Sequence, residues 1–173
     1  MGVKFLCDAM LGKLARYLRL MGLDTEYDKD GSGKGLLLSA RSENRILLTR
    51  NRRLLVDKAV FLVNSERPEE QLRSVIAGFR LRCKAKFFSR CLVCNRELVP
   101  VSKDEVAGRV PYYTYKHFDR YSLCPQCQRI YWAGSHHHNM KKRIDRILKE
   151  RRDRDAKGLG RRVKGESSED RSS

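Results

Sequence analysis

The sequence has no long apolar run. Nothing in it approaches the roughly 20 consecutive apolar residues that span a bilayer, so a membrane protein is not expected. It has no basic N-terminal segment leading into a long apolar one, so no signal peptide is expected. Position 6 is Leu rather than Ser or Thr, which also argues against myristoylation at Gly2. Acidic residues are scarce: 21 Asp and Glu face 38 Lys and Arg, for a formal charge of +17. Residues 151–173 hold only +3 of that excess, leaving +14 in residues 1–150. A folded region that basic attracts polyanions, nucleic acid first and acidic membranes second. A disulfide framework is missing too. Cys7 and Cys83 stand alone, and Cys91, Cys94, Cys124 and Cys127 form two close pairs. That usage suits metal binding in a reducing, cytoplasmic setting. Gly31-Ser32-Gly33-Lys34-Gly35 lacks the spacing of a phosphate-binding loop and reads as a flexible connection, so no small-molecule cofactor is expected. Apart from the two cysteine pairs there is no internal repeat.

What is present begins with 40% hydrophobic residues, enough for a real core despite a mean hydropathy of -0.62. Residues 3–80 alternate strand and helix. The run ending at Asp8 reads as a buried strand, followed by a basic amphipathic helix with Leu11, Leu14, Leu18 and Met21 at helical spacing and Gly22 as its stop. Further strands are expected at Thr25-Glu26-Tyr27, Arg45–Thr49 and Ala59–Val63. Helical segments are expected at Leu36–Asn44, at Arg50–Leu55 and from Pro68 to about Gly78. Alternation of this kind implies right-handed crossovers and a parallel sheet. The pattern changes near residue 80, giving expected units at 1–82, 83–150 and 151–173. The second carries strands around Glu97–Val101 and Gln128–Trp132 and a final helix capped by Ser135. The third is expected to be a disordered basic tail.

Cys91-Leu92-Val93-Cys94 and Cys124-Pro125-Gln126-Cys127 are two C-x-x-C knuckles separated by 29 residues. Together they supply four sulfurs, the closed tetrahedral set of structural zinc, with thiol–disulfide exchange as the alternative chemistry. Half of the fourteen aromatic residues, including Tyr112, Tyr113, Tyr131 and Trp132, sit beside or between the knuckles. Lys116, Arg120, Arg129 and His117 interleave with them. Rings flanked by cations stack single-stranded bases and hold phosphates, though a ribbon with almost no core also uses rings for packing. Of His136, His137 and His138, His136 at the helix start is the one expected at RNA, the other readings being simple surface.

Asp8, the pair Asp28 and Asp30, and the residue after Thr49-Arg50 all fall at strand C-termini, the edge where parallel sheets bind ligands. From its own stretch Asp8 reads as a helix cap. Acids gathered on one edge could share one or two Mg²⁺ or Mn²⁺ ions that activate water at a phosphodiester.

The segments F-L-C-D-A-M-L-G-K-L-A-R-Y-L-R-L-M-G, R-I-L-L-T-R, E-E-Q-L, F-S-R-C-L-V-C-N and C-P-Q-C-Q-R-I-Y-W-A-G-S-H together resemble the Mut-seven C-terminal RNase-like family, from about Val3 to Leu148. The resemblance implies a PIN-like three-layer α/β domain with a parallel sheet, then a small zinc ribbon and a C-terminal helix, with metal-dependent cleavage of RNA. It implies that Asp8 and Asp30 hold the catalytic Mg²⁺ or Mn²⁺, and that Cys91, Cys94, Cys124 and Cys127 hold zinc. Two positions depart from the family pattern. Asn51 stands where T-R-D is usual, offering a neutral carbonyl oxygen as a weaker third ligand. Gly33 and Lys34 stand where an acid commonly opens a helix. Lys13, Arg16, Arg50, Arg52, Lys116, Arg120, Arg129 and His136 are expected to bind RNA. The expected function is a ribonuclease. The alternatives are a catalytically impaired RNA-binding relative associated with a ribosome or other ribonucleoprotein, and a zinc-dependent protein adaptor.

Overall fold

A computed structural model of the chain describes residues 2–31, 33–55, 57–81 and 86–159. Four short strands, β1 (Phe5–Cys7), β2 (Thr25–Tyr27), β3 (Ile46–Thr49) and β4 (Val60–Leu62), form a parallel sheet in the order β2-β1-β3-β4. Successive side chains alternate faces, and each face has its own core. Phe5, Cys7 and Leu48 pack on the side of α1 (Gly12–Leu20) and α3 (Pro68–Gly78). Leu6 and Leu47 pack on the other side, against Leu36 and Ala40 of α2 (Gly33–Ser42). β1 is buried on both faces, which explains why it reads as a continuous apolar run. The result is the expected α/β layering around a parallel sheet.

The pairing Cys7↔Tyr27 and Cys7↔Leu48 aligns the strand ends, so Asp8, Asp28 and Thr49 leave the sheet side by side. Helix α2 begins inside the glycine-rich segment expected to be a loop. Its start is prepared by Asp28, whose Oδ1 accepts the N–H groups of Asp30 and Gly31 at 3.1 and 2.7 Å. Two acids, Glu69 and Glu70, follow Pro68 in the first turn of α3, where they complement the helix dipole.

Beyond residue 86, β5 (Val99–Val101), β6 (Tyr121–Leu123) and β7 (Ile130–Trp132) form an antiparallel sheet in that order. The central strand β6 is missing from the sequence expectation: its three residues run straight into Cys124 and show no alternation to detect. Helix α4 (Tyr112–His117) fills part of the long connection. Helix α5 (Ser135–Leu159) starts where expected and continues past Arg151 into the segment expected to be disordered; the rest of that tail, residues 160–173, lies outside the described residues. Although it follows the ribbon in sequence, α5 buries Ile144 and Ile147 in the core of the parallel sheet. Among the described residues, no helix is long and apolar enough to cross a membrane.

Gly22 ends α1 at φ +80°, and a Cβ there would lie 2.5 Å from the backbone oxygen of Lys86. Both the left-handed conformation and the clash oppose a side chain. Gly22→Ala is expected to cost about 2 kcal/mol, read by urea denaturation, with an unchanged midpoint counting against this packing.

Candidate functional site

Asp8 sits directly after the central strand β1 and is only 6% exposed. Its Oδ1 accepts the Met10 N–H at 3.0 Å, so it caps the 3-10 turn Ala9–Leu11, as its local sequence suggests. Its Oδ2 accepts the Thr49 hydroxyl. The same hydroxyl oxygen accepts the Asn51 N–H at 3.0 Å, which ties the end of β3 to the end of β1. A carboxylate has about four lone-pair sites, so two hydrogen bonds fix Asp8 in orientation without exhausting it.

The other two expected ligands are placed differently. The Asn51 side-chain oxygen accepts the Arg53 N–H at 3.0 Å and caps the turn Arg52–Leu54. Asp30 lies two residues beyond the strand end with its side chain 84% exposed, 3.9 Å from the Lys29 ammonium. Asp28, by contrast, is stitched to β1 through its N–H on the Cys7 carbonyl at 3.0 Å. The register therefore makes Asp28, rather than Asp30, the acid next to Asp8. Beside them, the Cys7 thiol is pushed far up by burial and by the Asp8 charge.

The sulfurs of Cys91, Cys94, Cys124 and Cys127 lie within 4.8 Å of one another, and among the described residues no other group of three or more His, Cys or acidic side chains gathers in this way. Cys91 and Cys127 are 3.6 Å apart, close to the roughly 3.8 Å edge of a tetrahedron with 2.3 Å metal–sulfur bonds. The two knuckles repeat one hydrogen-bonding pattern. Asn95 N–H donates to the Cys91 carbonyl at 3.0 Å, and Gln128 N–H to the Cys124 carbonyl at 2.9 Å. Both residues take left-handed backbone, φ 61° and 59°. Burial raises the Cys91 thiol, but hydrogen bonds from the Tyr131 hydroxyl and the N–H groups of Cys94 and Val93 outweigh it and bring it down to about 7. Such a cluster could bind zinc.

A polar seam that sequence reading does not reveal joins this cluster to the parallel sheet. Arg19, 5% exposed, donates to the Thr25 carbonyl at 2.7 Å and to the Leu92 and Val93 carbonyls of the first knuckle at 3.2 and 2.8 Å. Asn95 accepts the Thr25 N–H and donates to Asp24 and Glu26. Burial raises the Asp24 carboxyl, yet hydrogen bonds from Arg45 and Asn95, with the charges of Arg45 and Arg90, hold it below its ordinary range. Arg19 occupies a position of a basic helix that looks destined for solvent. Only its partners, distant in sequence, explain its burial.

The eight side chains expected at RNA separate into groups. Arg16, Arg129 and His136 line one cleft of about 760 Å³ between α1, β7 and the start of α5. Lys13 and Arg52 are exposed near the ends of β1 and β3, and Arg50 pairs with Glu66 at 2.6 Å. Lys116 and Arg120 are exposed in and after α4.

No solved structure matches the chain. A human protein named exonuclease mut-7 homolog is 31% identical over 111 residues, covering 58% of this chain. The chain spans only 13% of that relative's length. The model of the Mut7-C RNAse domain family matches residues 3–144. On that match the chain belongs to the Mut7-C RNAse domain family.

Proposed function

We propose that the chain is a divalent-metal-dependent ribonuclease built around Asp8, with a structural zinc ion on Cys91, Cys94, Cys124 and Cys127. The observation carrying this reading is the placement of Asp8: a nearly buried carboxylate at the C-terminal end of the central strand, oriented by Met10 and Thr49. Family membership supplies the reaction class. Oxygen donors from Asp8, Asp28 and Asn51, with Asp30 farther out, suit a hard cation such as Mg²⁺ or Mn²⁺. When bound, that ion supplies an activated water and neutralises charge on the phosphodiester. Thr49 keeps Asp8 aimed, and Asn51 tethers the β3 end through its N–H. Lys13 and Arg52 hold the RNA backbone. Four thiolates close the zinc site to substrate, which makes that ion structural.

Incubating zinc-loaded protein with RNA and Mn²⁺ tests the reading. Asp8→Asn is expected to lower the cleavage rate at least about 100-fold, in line with the loss of a key charged group at an active site. Cleavage that is absent, or indifferent to this substitution, refutes it. One observation favours a second reading, an RNA-binding relative without turnover. Asn51 brings no charge and Asp30 is largely solvated, so the acidic charge at the edge is low. That reading predicts steeply salt-dependent binding that survives Asp8→Asn.

A further inference from the structure

The cleft that gathers Arg16, Arg129 and His136 has a composition with one evident ligand class. No carboxylate lines it, and among the described residues neither arginine has an acidic partner. Its aromatic lining is made by Tyr113, Phe118, Tyr131 and Trp132, with Phe88. Such a site offers positive charge and ring faces together, and its volume of about 760 Å³ lies in the range of small-ligand pockets.

The wall is fixed in place. The Tyr131 hydroxyl is held 3.1 Å from Cys91 Sγ and accepts the Leu92 N–H at 3.2 Å. Trp132 lies over Gly134, where a Cβ would come within 2.9 Å of its indole nitrogen. Phe88 and His137, both in the lining, stack with ring centroids 3.3 Å apart. Tyr113, 68% exposed, rests on His117 at the rim and leaves most of its surface to solvent. An exposed ring, a fixed indole and two unpaired guanidinium groups match an unpaired nucleotide: a base to stack and a phosphate to neutralise. A duplex stacks its bases on one another and presents no such face.

We infer that this cleft between α1, the first knuckle, β7 and α5 binds an unpaired nucleotide of single-stranded RNA, stacked by Tyr113 and Trp132 and held at its phosphate by Arg16 and Arg129. The inference rests on the reading that RNA is the substrate. It adds a single-strand preference, and a binding site separate from the carboxylate edge at Asp8.

Trp132 is the only tryptophan in the chain, so the cleft carries its own reporter. The test is a fluorescence titration of the zinc-loaded 173-residue chain carrying Asp8→Asn, without added Mg²⁺ or Mn²⁺, using a ten-nucleotide oligoadenylate. A duplex RNA of the same length is the comparison. The single strand is expected to quench Trp132, and the duplex to leave it nearly unchanged. Tyr113→Ala is expected to weaken binding at least about fivefold, consistent with the loss of one stacking partner. Arg16→Gln with Arg129→Gln should weaken it about tenfold or more. The exposed Lys142→Gln on α5 should change it less than about twofold and serves as the cation control. A silent Trp132 with RNA bound, an equal response to duplex, or an unaffected Tyr113→Ala overturns the inference. Cleavage by the parent protein with a silent Trp132 leaves the ribonuclease reading standing and removes the cleft. Quenching without cleavage under any divalent metal does the reverse.

Discussion

Stripping zinc from the four-cysteine cluster is expected to unfold residues 87–134 while the parallel sheet and its helices stay folded. The reason is the distribution of buried apolar groups. Within that stretch the buried hydrophobic residues are Cys91, Val106, Tyr121 and Cys124, two of them members of the four-cysteine cluster. Three three-residue strands with so small a core cannot offset the entropy of ordering a segment of that length. Structural zinc in small modules contributes of order 10 kcal/mol or more. The parallel sheet has a core of its own, with Phe5, Leu14, Leu18, Leu48, Leu72 and Val75 buried together, to which this stretch adds only the partly buried Phe87, Phe88 and Leu92. Chelation, or Cys124→Ser, should therefore abolish the fixed environment of Trp132 and its near-UV signal. Most helical far-UV signal should remain, since α1, α2 and α3 belong to the sheet and α5 is anchored on its core by Ile144 and Ile147. Protein that contains no zinc when purified, or that keeps the Trp132 environment after chelation, contradicts both the metal and its structural role.

The contrast between those two halves also separates what sequence reveals from what it does not. β1 and β3 are legible because burial on both faces writes an uninterrupted apolar run, and α1 because its buried residues repeat at helical spacing. The cysteine cluster is legible because ligand spacing in a tight knuckle is set by local geometry. β6 is not, because Tyr121, Ser122 and Leu123 draw their order from β5 and β7 on either side. The site is mixed. Asp8 reads from its own stretch as a cap, and it is one; that its other oxygen meets Thr49 depends on strand register across 41 residues. Register also places Asp28 directly after the end of β2 and Asp30 two residues beyond it, an order across from Asp8 that the loop sequence alone leaves open. The metal chemistry expected at Asp8 and Asp30 remains the subject of the Asp8→Asn experiment.

Arg19→Met is expected to destabilise the zinc-loaded protein by about 3 kcal/mol, the next largest effect. Met fills much of the same volume, so packing is largely kept and the loss falls on hydrogen bonds. Three backbone carbonyls lose their donor, that of Thr25 in a buried setting and those of Leu92 and Val93 in a partly buried one. Each unsatisfied buried acceptor costs about 1–3 kcal/mol, partly recovered by relaxation. Lys cannot rescue the site, because one ammonium lacks the planar fork that reaches β2 and the knuckle together. The guanidinium is thus the rivet between α1 and the first knuckle, with Asn95 of that knuckle bonded to β2 beside it. Loosening it should also blur the cleft, whose walls include Arg16 from α1 and Leu92 and Val93 from the knuckle. Arg19→Met should accordingly lower the urea midpoint and weaken oligoadenylate binding, even though Arg19 does not line the cleft. A variant as stable as the parent would mean that the Asn95 hydrogen bonds and the packing of Phe87, Phe88, Leu92, Ile144 and Ile147 hold the two halves together without the guanidinium.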